Sequence, residues 1–268
     1  MDDETAQSAW DRVDTTKPHS ARVWDYMLGG KNNYQPDKEA GDTILALFPA
    51  FAQVARLQRE FLIRSVRFLA GEAGIRQFLD IGTGLPTANN THEVAQAVAP
   101  ESRIVYVDND PLVLVHARAL LTSTPEGATD YLDADVRDPE TILEGAAKTL
   151  DFSRPIGLTM LSIAGQVTDA DDPKGIVQRL VDRLPSGSYL ALSDGVNTDP
   201  ALVTAVASYN ANAAFPYNLR SPETIATFFE GLELVEPGVV PTPHWRPEGG
   251  VINPALPLSA VCGVGRKP

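Results

Sequence analysis

The sequence predicts an α/β fold with a doubly wound, mainly parallel sheet, and two observations carry this prediction. An apolar run over 77–81 stops at a glycine turn over 82–84, and a second apolar run over 103–107 stops at Asp108. Further on, strand-like runs alternate with helical patterns to the end of the chain, which indicates parallel strands joined by crossover helices. We therefore expect a Rossmann-like sheet of seven strands.

The glycine turn and the acid after the second strand are typical of nucleotide binding. Gly82 and Gly84 let the backbone turn sharply and approach a ligand closely, because they carry no side chain. Asp108 follows about 25 residues after the first glycine, where an acid can accept hydrogen bonds from ribose hydroxyls. The dinucleotide pattern places a third glycine where this chain has Thr87.

The helix after the glycine turn is expected to begin late, with Asn90 as its N-cap and Glu93 as the capping-box partner. A pyrophosphate needs a helix N-terminus directly behind the turn, and residues 85–89 intervene here. S-adenosylmethionine has an adenosine and a charged amino-acid tail but no phosphate, so the loop favours this donor over NAD. An ordinary strand-to-helix turn would be the simpler interpretation without Asp108 and the motifs described below.

Composition excludes several classes of partner. The 268 residues carry a formal net charge of -13, which repels phosphate backbones, so we expect no nucleic-acid partner. A single cysteine, Cys262, excludes an intrachain disulfide and fits a reducing cytoplasm. The acidic N-terminus lacks the apolar core of a secretory signal, and no apolar stretch is long enough to span a bilayer. The four histidines show no spacing typical of a metal site.

The N-terminal quarter reads as helical and the remainder as the sheet with its crossovers. Residues 1 to about 20 are expected to be loosely ordered, and Ser20 is expected to cap a short helix that Gly29-Gly30 ends. We assign residues 1–70 to an N-terminal helical lid segment and 71–268 to the Rossmann-like core. Later elements are expected as helices near 111–122, 139–150, 172–184, 200–213 and 222–230, and as strands near 128–132, 156–162, 188–193, 232–239 and 258–264.

Five blocks of the chain resemble class I S-adenosylmethionine-dependent methyltransferases. Among these enzymes they are most similar to the actinobacterial S-adenosyl methyltransferase family, long described as a domain of unknown function. The blocks are Ala21 to Lys31, Phe78 to Gly84, Tyr106 to Pro111, Asp133 to Pro139, and Gly231 to Gly238 followed by Trp245-Arg246-Pro247. The resemblance covers the chain from about residue 19 to its end and implies S-adenosyl-L-methionine as cofactor.

The resemblance implies a role for each acid near a strand end. Asp80 would help to hold the methionine ammonium, and Asp108 would bind both ribose hydroxyls. Asp135 would accept a hydrogen bond from the adenine amino group while the Val136 amide donates to the ring. The remaining cofactor contacts in the core are assigned to Gly82, Thr83, Gly84 and Asn109.

The N-terminal block adds cations to an otherwise acidic chain. We expect Arg22 to meet the donor carboxylate and Tyr26 or Tyr34 to wall the pocket, with the block lying over the donor. The alternative is a helix that only packs, with Trp24 and Leu28 buried on one face. Both interpretations are compatible, because Arg22 and Tyr26 share another face.

The expected acceptor site differs from the family pattern. Many members carry histidine after the fourth strand, where this chain has Gln166, and serine-histidine after the fifth, where it has Ser193-Asp194. Asp194 is therefore the candidate general base. Gln166, Tyr34 and Trp245 are the candidate substrate-binding residues.

The sequence thus predicts methyl transfer to a small-molecule acceptor, with oxygen, nitrogen and carbon all open as the methylated atom. Two alternatives stay open, namely a non-catalytic protein that senses S-adenosylmethionine and an NAD-dependent oxidoreductase. The oligomeric state is also left open, with a homodimer as one option.

The first prediction concerns cofactor choice. Thermal melting should rise with S-adenosylmethionine or S-adenosylhomocysteine and stay unchanged with NAD, because the loop at 85–89 leaves no helix N-terminus for a pyrophosphate. Stabilisation by NAD alone would contradict this prediction.

Overall fold

The computed structural model describes residues 10–120, 122–250, 253 and 256–268, without the side chains of residues 118–120 and 250. The loose order expected for the first residues therefore falls partly on residues 1–9, which lie outside the described part. Within that part, no helix combines the length and the apolar character needed to cross a membrane.

The sheet confirms the predicted architecture. Its strands run in the order β3-β2-β1-β4-β5-β8-β6, and β7 also pairs with β8. Neighbours among the first five strands are parallel, whereas β8 is antiparallel to β5, β6 and β7. The strands are β1 Gln77–Ile81, β2 Arg103–Asp108, β3 Ala128–Asp133, β4 Gly157–Leu161, β5 Tyr189–Gly195, β6 Glu233–Leu234, β7 Val240–Pro241 and β8 Ala260–Arg266.

One predicted strand is divided. The run over 232–239 was expected to form a single strand, but it contributes only β6, and β7 begins after it. The Pro237-Gly238 pair between them interrupts the ladder, because proline has no amide hydrogen to donate and Gly238 takes a φ of 87°. The sheet therefore has one more strand than expected.

The helices agree with the expected series, with differences at their ends. Ser20 was expected to cap the first helix, but the helix begins at Ser20 and His19 is the N-cap. Helix α6 stops at Ala146 because the chain tightens into turns there, with Lys148 N donating to Gly145 O. Helix α9 gives way to a 3₁₀ turn over Thr227–Phe229. The helices are α1 Ser20–Met27, α2 Gln35–Leu47, α3 Phe51–Gly71, α4 Thr91–Val98, α5 Pro111–Leu120, α6 Pro139–Ala146, α7 Pro173–Arg183, α8 Pro200–Asn210 and α9 Pro222–Ala226.

Strand β1 is buried along its whole length because helices cover both faces of the sheet. Leu79 and Ile81 belong to one apolar cluster with residues of α6 and α7. Phe78 points the other way and belongs to a second cluster with Phe61 and Leu69 of α3. The alternation along β1 places Asp80 at the carboxyl end of the strand, on the α3 side of the sheet.

A buried ion pair ties α1 to the core. The Arg22 guanidinium donates from Nε and Nη2 to the two carboxylate oxygens of Asp110, each at 2.9 Å. Neither side chain is more than 2% exposed. Arg22 Nη1 also donates to the carbonyl of Asp14 at 2.6 Å. The N-terminal helices are thus joined to the end of β2, two residues beyond Asp108.

Breaking this ion pair should destabilise the folded protein. Replacing Arg22 with methionine leaves the buried Asp110 carboxylate with only the His19 ring beside it, whose Nδ1 lies 3.1 Å away. The free energy of unfolding should therefore fall by up to about 3–5 kcal/mol. Urea denaturation of the full-length protein measures the loss. Arg12→Met is the matched control, because the Arg12–Asp133 pair at 2.7 Å is exposed and should contribute about 1 kcal/mol or less. Equal, small losses for both variants would contradict the prediction.

Candidate functional site

A cavity lies at the carboxyl ends of β1, β2, β4 and β5, beneath α1–α3. This is the edge at which open α/β sheets bind their ligands. The cavity brings together most of the residues predicted to bind the cofactor, and one of those predicted to bind the acceptor. The predicted residues on its wall are Asp80, Gly82, Thr83, Gly84, Asp108, Asn109, Asp135, Val136 and Gln166.

The glycine turn has the conformation that only glycine adopts easily. Gly82 and Gly84 have φ angles of 71° and 66°, in the left-handed region. A Cβ atom at Gly82 would also collide with the side chain of Ile163. The amide of Gly82 donates to the carbonyl of Val107 at 2.8 Å, so the turn is fastened to β2.

Asp108 is held by backbone amides at the cavity wall. One of its oxygens accepts from the amide of Gly84 at 2.8 Å and the other from the amide of Asp110 at 3.0 Å. Burial raises the pKa of Asp108, and these two hydrogen bonds oppose the rise. The turn and the acid are therefore one unit with a fixed carboxylate facing the cavity.

Asp80 lies near Arg59, a cation that was not predicted from the sequence to belong to the site. Its carboxylate accepts from the hydroxyls of Thr91 and Thr159 at 2.6 and 2.7 Å, and burial raises its pKa. Arg59 of α3 lines the same cavity and donates to the carbonyls of Ala88 and Asn89 at 3.0 and 3.1 Å. The field of Asp80 opposes the lowering of the Arg59 pKa that burial causes.

Asp135, the third acid predicted to bind the donor after Asp80 and Asp108, is held by hydrogen bonds from its neighbours. It accepts from Arg137 Nη2 at 2.6 Å and from the Asn109 side chain at 3.1 Å. Burial acts to raise the pKa of Asp135, but the hydrogen bonds from Arg137 and Asn109 outweigh it, so the pKa is lowered. The carboxylate is thus ionised, and Val136 lies beside it on the wall.

The N-terminus of α4 is already occupied by protein groups. The predicted capping box is present, and the Glu93 carboxylate accepts from the Asn90 amide at 2.7 Å. The amide of His92 donates to the hydroxyl of Tyr106 at 2.8 Å. A carboxylate at this position disfavours a second anion, so the helix does not offer the site that a pyrophosphate needs.

The comparisons with known proteins agree with this geometry. The family model described as S-adenosyl methyltransferase matches residues 6–268. The chain belongs to this family. It is a methyltransferase that depends on S-adenosylmethionine, which excludes the NAD-dependent oxidoreductase. A search of curated proteins finds no significant match.

Two solved structures are similar to the methyltransferase over nearly its whole length. A DUF574 family protein from Streptomyces avermitilis is 48% identical, with 96% of this chain and 100% of that chain covered and a TM-score of 0.92. A candidate methyltransferase from Thermobifida fusca is 43% identical, with 95% and 96% covered and a TM-score of 0.88.

Five predicted site residues are not on the cavity wall in the methyltransferase, namely Arg22, Tyr26, Tyr34, Trp245 and Asp194. Arg22 is not available to the donor carboxylate, because Asp110 and the Asp14 carbonyl already take its guanidinium. The hydroxyl of Tyr26 donates to Asp42 at 2.6 Å instead. The ring of Tyr34 lies under the Arg22 guanidinium, 5.4 Å from its centroid.

Trp245 is the fourth of these residues, and it packs in the core instead of binding substrate. It is fully buried, and its ring makes edge contacts with Phe61 and Phe68 at centroid distances of 5.4 and 5.9 Å. Its family motif therefore contributes to packing on α3.

Asp194 lies one layer behind the cavity wall. Its carboxylate accepts from the amides of Gly165 and Gly195 at 2.7 and 3.0 Å and from the hydroxyl of Tyr217. Burial raises the pKa of Asp194 to about 6, although the hydrogen bond from Tyr217 lowers it. Tyr217 lines the cavity. Asp194 is therefore connected to the cavity only through its hydrogen bond with this tyrosine.

Several wall residues were not predicted from the sequence, although one of them has a recognisable pattern around it. Gln58 falls at helical spacing between Val54 and Leu62, which puts a polar residue in an apolar helix face. Arg59 and Tyr217 carry no such signal, because only the packing of α3 and of the 211–221 segment brings them to the wall.

Two polar atoms on the wall are unpartnered. Among the described residues, nothing hydrogen-bonds to the buried Tyr209 Oη or to Gln166 Oε1. An unpaired buried polar atom costs about 1–3 kcal/mol, and such atoms on a cavity wall are typical of a binding site.

The position of Asp194 predicts a pH dependence of stability. Its folded pKa of about 6 lies above the ordinary value of 3.8, so the folded state binds the proton more tightly. This stabilisation is complete below about pH 4 and is lost as the pH rises through about 6, a change of about 3 kcal/mol. The free energy of unfolding of wild type relative to Asp194→Asn should fall by that amount over the interval.

Chemical denaturation at several pH values measures this difference. Asp138→Asn is the control, because a hydrogen bond from Thr141 lowers the pKa of Asp138 and makes the wild type gain stability as the pH rises. If the stability of the wild type relative to each variant changed with pH in the same direction for both, the raised pKa of Asp194 would be contradicted.

Proposed function

We propose that the methyltransferase transfers the methyl group of S-adenosylmethionine to a small-molecule acceptor inside this cavity. The observation that carries the proposal is the continuity of the cavity. It joins Asp80, Asp108 and Asp135 at the strand ends to an apolar chamber beneath the N-terminal helices.

The carboxylates of Asp80, Asp108 and Asp135 suit the polar groups of the donor. The fixed carboxylate of Asp108 would accept from both ribose hydroxyls, and Asp135 with the Val136 amide would bind the adenine edge. Gly84 leaves open space on the cavity side, since nothing lies within 4 Å of a Cβ built there. A ligand can therefore pass close to the backbone at this turn.

We further propose that Arg59, and not Arg22, binds the donor carboxylate. Arg59 and Asp80 both line the cavity, and the charge of Asp80 acts on Arg59. A methionine tail carries one charge of each sign. No carboxylate among the described residues forms an ion pair with Arg59 within 4 Å, in contrast to Arg22. The ammonium would then lie towards Asp80.

Catalysis would come mainly from alignment and from the exclusion of water. The donor supplies a methyl group already activated as a sulfonium. The chain would hold the acceptor in line with it, and orientation of this kind can contribute about 7–11 kcal/mol. In this proposal α1–α3 form the lid over both ligands, and residues 71–268 form the core that binds the donor.

Donor binding tests the assignment of these residues. Calorimetric titration of the full-length protein with S-adenosylhomocysteine should give an affinity about 10- to 150-fold weaker for Asp108→Ala, because a charge-assisted contact is lost. Arg59→Gln should weaken it by about tenfold or more for the same reason. Arg56→Gln is the matched control, because Arg56 lies three residues earlier on α3 and is exposed.

Folding of each variant is checked by thermal melting without ligand. Unchanged affinity in a folded Asp108→Ala protein would show that the ribose is bound elsewhere. If Arg59→Gln and Arg56→Gln changed the affinity for S-adenosylhomocysteine equally, Arg59 would not be the residue that binds the donor carboxylate. A protein that binds the donor but releases no S-adenosylhomocysteine with any member of an acceptor library would instead be a sensor.

A further inference from the structure

The part of the cavity beyond the donor residues is mainly apolar. Side chains of α1–α3, of α8 and of the segment after α8 line it. Asp25 and Arg59 are the charged side chains that α1–α3 contribute to the cavity. The apolar side chains include Trp24, Leu28, Ile44, Phe51, Val54 and Leu62 from α1–α3, and Leu202, Val206 and Leu219 from α8 and the segment after it.

An acceptor in this chamber has to be uncharged. A charged group placed among these side chains would lose its hydration without gaining a partner. Asp25, which also lines the cavity, already makes hydrogen bonds within the protein, because its Oδ2 atom accepts from the Asn32 amide and the Asn33 side chain at 2.9 and 2.7 Å. An amine that is protonated at neutral pH is therefore a poor occupant, and it is also no nucleophile.

The chamber has a polar floor at the ends of β4 and β5. The Ser193 hydroxyl donates to Gln58 Oε1 at 2.6 Å, and Gln58 Nε2 donates to the Ser162 hydroxyl at 3.1 Å. Tyr217 lines the cavity as Gln58 and Ser162 do. It donates its proton to Asp194, a carboxylate that does not itself line the cavity.

Tyr217 is placed to take part in a proton transfer. Its hydroxyl accepts a hydrogen bond from the Gly195 amide at 3.1 Å, which fixes the oxygen at the wall. Among the described residues, no hydrogen bond takes the second lone pair of this oxygen, so the hydroxyl of an acceptor can donate to it. Behind it, burial raises the pKa of Asp194 to about 6, so this carboxylate is ionised at neutral pH yet accepts a proton readily.

We propose that the methyl acceptor is an uncharged, mainly apolar molecule that carries a hydroxyl group, and that Tyr217 and Asp194 remove the proton of this hydroxyl. This inference rests on the proposed function and specifies its acceptor. Tyr217 is the catalytic residue, because it contacts the acceptor, and Asp194 acts through it.

The transfer balances in atoms and charge. A bond forms between the acceptor oxygen and the methyl carbon, and the bond from that carbon to the donor sulfur breaks, with its electron pair remaining on sulfur. The acceptor proton passes to Tyr217 Oη, and the tyrosine proton passes to Asp194 Oδ1. The products are S-adenosylhomocysteine, a methyl ether and a neutral Asp194, which later returns its proton to solvent.

Naphthalene probes test this inference on the full-length protein. The protein is first saturated with S-adenosylhomocysteine, whose own binding is established by calorimetry, and is then titrated with 2-naphthol. Its methyl ether, 2-methoxynaphthalene, lacks the proton, and 2-naphthoate carries a charge. We expect 2-naphthol to bind about three- to tenfold more tightly than the ether, because of the added hydrogen bond, and naphthoate to bind most weakly.

The fluorescence of 2-naphthol reports on the proton itself. Its excited state is a much stronger acid than its ground state, so the bound probe should emit as naphtholate where a base accepts its proton. Free 2-naphthol also loses its excited-state proton to water, so the emission of the free probe is subtracted. The remaining naphtholate emission of the bound probe is expected at neutral pH in the wild type and should be lost in Tyr217→Phe and in Asp194→Asn. Tyr189→Phe is the matched control, because it removes a tyrosine hydroxyl from β5 away from the cavity wall.

Each outcome decides one of the two proposals. Failure of S-adenosylhomocysteine to bind overturns the proposed function. When it binds, the acceptor inference alone is overturned by a lack of 2-naphthol binding or by equal affinity for alcohol and ether. It is also overturned by naphtholate emission that survives both the Tyr217 and the Asp194 substitution.

Discussion

The buried ion pair between Arg22 and Asp110 is the interaction on which the arrangement of the site depends. It is bidentate and removed from solvent, so α1 has one favourable position on the core and any other leaves a buried charge unpaired. Asp110 accepts from the Leu112 amide at the start of α5, and its own amide donates to Asp108. The same residue therefore positions both the N-terminal helices and the acid expected to bind ribose.

Other acids in and after the N-terminal block also serve the fold. Asp37 accepts from the amides of His19 and Tyr34 at 2.9 and 2.8 Å, and burial raises its pKa. Gly30 is needed because a Cβ there would collide with Asp25. These contacts bring α1 and α2 together over the sheet edge, so the roof of the cavity is built from the most distinctive part of the sequence. The charges of Arg22 and Asp37 are used in contacts within the protein.

Local rules predicted the half of the site that lies on the strands. The glycine turn, the capping box at Asn90 and the position of Asp108 all depend on short-range geometry, and the structure contains each of them as expected. The opposite half could not be predicted in this way. Arg59 and Tyr217 are separated from Asp80 and Asp194 by other elements, and no periodicity indicates which turn of a helix meets which strand end.

The sequence by itself determined the parallel sheet, the glycine turn with its acid, and a helical N-terminal segment, because strand and helix periods and glycine conformations are local properties. Only the tertiary structure decided how the charges pair. Arg22 was the obvious cation for a ligand, yet burial against Asp110 uses it in the fold, while Arg59 reaches the cavity beside Asp80. Asp194 was placed correctly at a strand end, but the packing of Tyr217 decided that it lies behind the wall. The pairing of charges depends on distances between elements remote in the chain, and these are set only when the helices pack on the sheet.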